Sequence, residues 1–369
     1  MSDNLDSRFN NGSQNYEHEN RGRIESLLRH TVLLLEKRRL NAIKQREALD
    51  NLRCLSEARK VFERLSRSRY EGVPGIVRID GKKPGPTVGI TVCTHGNEPS
   101  GLAAADFLFN TVARKKELLS GTVYVVLNNV LAADRYFNAR TAEEKRTARF
   151  ADVNMNRLPP DALERKQDTR YEIKRIRALS PIVERFDVGL DIHSTSQDSA
   201  PMIIALGNEI PKDLIQGMPI RKILSNIDAV QKGKPASYFY GPKDGSGIKL
   251  GIETGSHEKS SSFERAKLCA EALLQNLGML AGKPQPVSAP YEEYPVTSSV
   301  LFPDDSYELT REFPNFECVP KGTLLARGNG PDLVAKANQC TLFASGTKPV
   351  SLSEEALFLS DPVRTHQAR

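Results

Sequence analysis

The 369-residue chain has no uninterrupted apolar stretch approaching the ~18 residues that a bilayer-spanning helix requires. Its first twenty residues, MSDNLDSRFNNGSQNYEHEN, lack the apolar core of a secretory signal. Cysteine is scarce: Cys54, Cys93, Cys269, Cys318 and Cys340 are scattered, odd in number and free of C-x-x-C spacing. This pattern excludes a zinc ribbon and a disulfide framework, and it leads us to expect reduced thiols in a cytoplasmic protein. No internal repeat is visible, so repeat architectures are set aside. Histidine is also rare, with six in the chain, and His18, His30 and His366 lie in flanking segments.

Charged residues make up 27% and hydrophobic residues 39%, the balance of a soluble globular protein. The net charge of +6 is unevenly placed. Arg21 to Arg69 carries 14 lysines and arginines against 6 acidic residues, so the rest of the chain is slightly acidic. Residues 1–20 are polar and expected to be a disordered tail. In residues 21–72 Ile24, Leu28, Val32, Leu35, Leu52, Leu55, Val61, Phe62 and Leu65 recur at helical spacing without an interrupting proline, which predicts a basic helical extension. Its apolar stripe demands a packing partner, and between Arg21 and Arg69 Phe62 is the single aromatic, too few for stacking on bases. Packing on the catalytic domain or a homo-oligomer is therefore the expectation, and nucleic acid and membrane partners are not.

After Pro86 short β-branched runs alternate with helical segments. TVGITVCT, TVYVVLNN, DVGLDIHS, APMIIALG and GIKLGIETG read as strands, and the segments from Ser100, Asp168 and Ser260 as helices. Strands apolar on both faces, alternating with helices, predict an α/β fold, a mostly parallel or mixed sheet covered on both sides over residues 73–283. Residues 284–369 turn to short proline-punctuated strands and are expected to form a separate small β domain.

The segment THGNEPSG places His95 and Glu98 where a strand gives way to a turn, so both side chains can face one point. Histidine nitrogen and carboxylate oxygen suit zinc, and a catalytic site takes three protein ligands. A third ligand is expected from another strand's C-terminal end, along the edge where open α/β sheets gather their sites, and DIHST supplies His193 there. Glu253, at the end of a third strand, can serve as the proton carrier beside activated water. RFADVNMNR adds Arg149, Asn156 and Arg157, groups able to stabilise an oxyanion and hold an anionic substrate. Asp191 is assigned a structural role on the opposite face from His193, and His257 is read as an ordinary surface histidine.

THGNEPSG, RFADVNMNR, DIHST and GIETG, in this order, resemble the zinc-dependent aspartoacylase and succinylglutamate desuccinylase family, a branch of the metallocarboxypeptidase fold. PNFECVPKGTLLA is similar to that family's C-terminal β domain, so the resemblance runs from about Pro84 to Asp361. It implies one Zn2+ per chain on His95, Glu98 and His193, with Glu253 as general acid/base and Arg149 polarising the scissile carbonyl. Asn156 and Arg157 match the clamp on a substrate carboxylate. The chain departs from the pattern in two places. SYFYGPKDGSGIKL holds Lys243 and Lys249 but no arginine, and EEALF offers Phe358 where the family places a tyrosine. The implied activity is hydrolysis of the linear amide of a small, carboxylate-bearing N-acyl amino acid. Alternatives are a zinc carboxypeptidase acting on peptides, and a non-catalytic scaffold whose basic arm binds a partner.

Overall fold

The computed structural model describes residues 6–207, 210–285, 289–344, 346–347, 352 and 354–366, with backbone only for 6–29, 31 and 364–366. The chain divides into two units, Met1–Arg53 and Cys54–Arg369. Helix α1 runs from Asp6 to Arg67, so residues 6–20, expected to be disordered, are helical, while residues 1–5 lie outside the described residues. No proline occurs before Pro74 to halt the helix. In the first unit Val32, Leu33, Leu34, Leu35, Leu40, Ile43, Leu49 and Leu52 are all exposed, Leu49 at 68%.

In the second unit the last turns of α1 behave differently. Ala58, Val61, Phe62 and Leu65, spaced i, i+3, i+4, i+7, are buried in the main core. Phe62 stacks on Phe137 at 4.8 Å between centroids, and Arg59 Nη1 donates to the Phe137 carbonyl at 2.9 Å. The basic extension expected over 21–72 is therefore divided: its C-terminal turns are part of the second unit.

That unit is built on one twelve-stranded mixed sheet. Its strands are β1 Ile76–Asp80, β2 Thr87–Val92, β3 Thr122–Leu127, β4 Val188–Thr195, β5 Met202–Ala205, β6 Lys222–Ser225, β7 Ile248–Ser256 and β8 Tyr291–Val300. The remaining four are β9 Cys318–Val319, β10 Gln339–Leu342, β11 Leu357–Ser360 and β12 Arg364–His366. The order is β9-β10-β11-β8-β6-β5-β7-β4-β2-β3-β1, with β12 also paired to β8. Strands β3, β2, β4 and β7 run parallel to one another, which brings their C-terminal ends to one edge. Val88, Ile90, Val92, Leu190, Ile192, Leu250 and Ile252 face a core shared with helix α2, Ser260–Asn276. The opposite face carries Tyr124 and Val126 against helix α3, Tyr171–Val183 in the chain, with Phe186 and Tyr240. Gly89 leaves the space that the Phe186 ring occupies; a Cβ there would lie 2.0 Å from it.

The expected boundary at 283/284 does not separate two bodies. One long strand, β8, pairs in parallel with β6 through Glu292–Pro295 and then antiparallel with β11 through Val296–Val300, with a register shift between Val296 and Ser298. The C-terminal strands thus extend the main sheet. Cys318 and Cys340 face each other as directly paired residues of β9 and β10 and form a disulfide. The expectation of reduced thiols therefore holds for Cys54, Cys93 and Cys269 but not for this pair, because pairing across strands 22 residues apart does not show in cysteine spacing.

Candidate active site

The turn after β2 is tightly made. Cys93 takes a left-handed φ of 52°, a strained conformation for a non-glycine residue. Gly96 packs so closely that a Cβ would lie 2.2 Å from the Ala132 carbonyl carbon, and its N–H donates to the Arg149 carbonyl at 2.9 Å. Glu98 stands just before the short helical turn Pro99–Gly101 and makes no side-chain capping bond to it. The turn aims His95 and Glu98 at one point: His95 Nδ1 lies 2.7 Å from Glu98 Oε1. His193, near the end of the adjacent β4, brings its Nδ1 to 2.8 Å from Glu98 Oε2.

His95, Glu98 and His193 are all buried, with ligand atoms within 4.8 Å of one another. Both rings turn Nδ1 inward, and each is held from behind at Nε2. Asn154 Oδ1 is 3.0 Å from His95 Nε2, and Asp191 Oδ2 is 3.0 Å from His193 Nε2. Such outer partners fix ring orientation and tautomer at metal centres. Asp191 is therefore not on the opposite face. Residues two apart along a strand share a face, and Asp191 lies beside His193, anchored by the Thr91 and Thr94 hydroxyls at 2.8 Å each. Two neutral-type nitrogen donors and one carboxylate, with oriented rings, form a donor set that fits Zn2+.

Charges in the cluster are strongly coupled. Burial would raise the Glu98 carboxyl, but the two imidazoles outweigh it and hold the group well below the usual range. Burial lowers His95, helped by the Arg149 cation. Burial would also lower His193, yet the Asp191 and Glu98 carboxylates raise it well above an ordinary histidine.

Glu253 is the cross-strand partner of His193 in the β4–β7 register, so the two side chains share a face. It is buried, its Oε2 has no hydrogen-bond partner among the described residues, and burial with the nearby Glu98 charge pushes its carboxyl up to about 8. A carboxyl with this range can carry a proton near neutral pH. Arg149 Nη1 reaches Glu98 Oε1 at 3.1 Å and remains about a third exposed. Asn156 Nδ2 stands 3.5 Å from His193 Nε2. Arg157 is not an open fork: it is bound to Glu355, from just ahead of β11, at 2.8 Å. Its guanidinium also lies 5.9 Å from the Phe358 ring.

Of three further groups that organise the site, the sequence reading misplaced one and missed two. Asp191 is the misplaced one: it has the structural role expected of it, but on the His193 face. Glu172, on α3, is fully buried and accepts from the Asn129 amide and from the backbone N–H groups of Ala151, Asp152 and Val153. It shapes the loop bearing Arg149, Asn154, Asn156 and Arg157. Glu355 is the third. An acidic residue in a polar loop or on an amphipathic helix carries no local mark of burial, so Glu172 and Glu355 were not singled out. His257 is half-buried rather than on the surface, with Nδ1 2.9 Å from Ser194 Oγ, and burial lowers it to about 4.

Residues 84–238 match the family model described as succinylglutamate desuccinylase/aspartoacylase catalytic domain. This segment is similar to that family's catalytic domain. It contains the metal-ligand candidates, Arg149, Asn156 and Arg157, and ends before Glu253. The fold is shared with solved structures of low identity. A succinylglutamate desuccinylase from Vibrio parahaemolyticus superposes with a TM-score of 0.61 at 15% identity, covering 79% of this chain and 87% of that one. The succinylglutamate desuccinylase from Chromobacterium violaceum gives 0.60 at 18% identity, covering 84% and 98%. A succinylglutamate desuccinylase/aspartoacylase from Rhodobacter sphaeroides gives 0.54 at 18%, covering 78% and 89%. Among curated protein sequences none matches this chain significantly. Among the described residues no helix is long and apolar enough to cross a membrane.

Proposed function

We propose that this chain is a zinc-dependent amidohydrolase that cleaves the linear amide of a small N-acyl amino acid. The observation that carries the reading is the buried His95–Glu98–His193 set with Glu253, whose Oε2 has no hydrogen-bond partner among the described residues, on the neighbouring strand. His95, Glu98 and His193 hold the ion, one per chain, oriented by Asn154 and Asp191. When bound, zinc supplies a Lewis acid that polarises a carbonyl oxygen and makes water acidic.

Glu253 takes a proton from the attacking water as its oxygen bonds to the acyl carbon. The carboxyl then delivers that proton to the departing amine nitrogen as the C–N bond breaks, leaving a free acid and a free amino acid. Arg149 donates to the carbonyl oxygen as negative charge grows on it. Asn156 and Arg157 grip the amino-acid end of the substrate. The catalytic-domain match and the names of the structural relatives support an acyl amino acid over a peptide.

The exposed apolar residues of α1, Val32 to Leu52, support a further part of the proposal, a homo-oligomer through this arm. A cytoplasmic location is also proposed, on Cys93 and Cys269, which carry no disulfide, and against the Cys318–Cys340 bridge; cell fractionation is its test. The decisive experiment for the activity is a panel of N-acyl amino acids and short peptides incubated with zinc-loaded protein, following free amine. Release from acyl amino acids, lost in Glu253→Gln, is expected. Release from peptides alone, or from nothing in the panel, overturns the deacylase reading.

A further inference from the structure

Arg157 carries five N–H donors. Nε and Nη2 both meet Glu355 Oε2 at 2.8 Å, and Nη1 donates to the Asn156 carbonyl at 2.9 Å. Three donors are thus committed within the protein, and two are left for a ligand. The Glu355 side chain is wholly inaccessible to solvent, and its second oxygen accepts from the Lys232 backbone N–H. Water cannot screen this carboxylate from its partner, so the positive charge of Arg157 is cancelled where it arises.

The arrangement is firmly built. Lys234 pairs with Leu158 through both backbone groups, which seats the 231–234 loop beside Arg157, and the Asn156 carbonyl also accepts from Gln231 Nε2. Glu355 arrives from the C-terminal part of the sheet, beyond the residues that match the catalytic-domain family.

We infer that Glu355 sets the charge selectivity of the substrate position at Arg157, making it a neutral two-donor fork. This rests on the proposed reading of Arg157 as the grip on the amino-acid end. Two N–H groups without net charge bond to a carboxamide or ester oxygen as well as to a carboxylate. What the site has lost is the uncompensated cation that penalises a neutral group. The substrate class is therefore an N-acyl amino acid whose group at this position is neutral as readily as ionised. Selectivity is a difference of affinities, and here the discriminating charge is already spent on an internal partner.

The test uses N-acetylglycine, which has a single carboxyl group, and N-acetylglycinamide. Both are titrated into full-length zinc-loaded protein by ligand-observed NMR. In wild type the two dissociation constants should agree within about threefold, and Glu355→Gln should favour the acid by about tenfold or more, since it unmasks a guanidinium. Glu355→Asp retains the charge and should stay near wild type. A wild-type preference for the acid above about tenfold overturns the inference, as does an unchanged ratio in Glu355→Gln or binding of neither probe to any form. If circular dichroism shows that Glu355→Gln does not fold, the wild-type and Glu355→Asp ratios decide. Hydrolysis is read separately: the expected binding pattern without cleavage of any acyl compound removes the deacylase reading and leaves this one standing.

Discussion

At the scale of single residues, the site depends on side chains that act through one another. His193 is held by Asp191, whose second oxygen is held by Thr91 and Thr94, so the chain of contacts reaches back into β2. Asp191→Asn should retain the fold and weaken zinc affinity by about 10–100-fold, measured by competition with a chelator, because the outer partner no longer orients the ring. Full affinity in that variant would remove Asp191 from the centre. His95→Ala and His193→Ala should each lose the ion outright by elemental analysis, with little change in circular dichroism, since both lie at strand ends. Glu253→Gln should keep the ion and lose about 10²–10⁴-fold in turnover, because an amide cannot shuttle a proton. Turnover within a few-fold of wild type would exclude Glu253 as the proton carrier.

At the scale of elements, two devices put these residues in place, and each is a single substitution away from failure. The β2 turn requires Gly96, where an added Cβ would meet the Ala132 and Ala148 backbone at 2.2 to 2.4 Å. Gly96→Ala must shift backbone, so a lowered melting temperature together with weakened zinc binding is expected. A variant with normal metal content would mean that the turn tolerates the displacement. Glu172 plays the matching part for the 149–157 loop, with three successive backbone N–H groups on one buried carboxylate. Glu172→Ala leaves those donors unsatisfied, at about 1–3 kcal/mol each in the worst case. Stability in urea should fall, and kcat should fall in protein saturated with zinc, with some loss of zinc affinity, since the loop carries Arg149 and Asn154, the outer partner of His95, but no metal ligand. The strands and the helix bearing these devices were legible in the chain from their apolar runs. The loop was not, because its form is decided by an acid on a distant helix.

For the whole molecule, the informative cut is at residue 53. Removing residues 1–53 spares Ala58, Val61, Phe62 and Leu65, which are buried in the main core. The shortened protein should retain zinc and its melting transition, while sedimentation should show a smaller assembly if the arm joins subunits. An unchanged assembly would refute oligomerisation through the arm. Removing residues 1–70 takes those four side chains as well, and loss of a buried phenylalanine alone costs about 3–5 kcal/mol. That deletion should unfold or aggregate, and a stable, soluble product would show that the last turns of α1 are dispensable.

The sequence by itself determined the α/β class, the strands of the sheet's central part and the three metal-ligand candidates. Each of these is written locally: β-branched runs make strands, and histidine or glutamate at a strand's C-terminal end reaches the functional edge of a parallel sheet. Glu253 belongs with them, since its strand and position were plain in GIETG. The tertiary structure alone decided four other matters. The C-terminal strands extend the main sheet, because β8 pairs with β6 over one half and β11 over the other. Cys318 meets Cys340 through strand register. Asp191 took the His193 face rather than the opposite one while Glu172 became a structural anchor of the site, and Glu355 became the partner of Arg157 across 198 residues of chain. Burial is what makes these three carboxylates matter, and burial is created by the packing of distant segments, which the local pattern around an aspartate or glutamate does not encode.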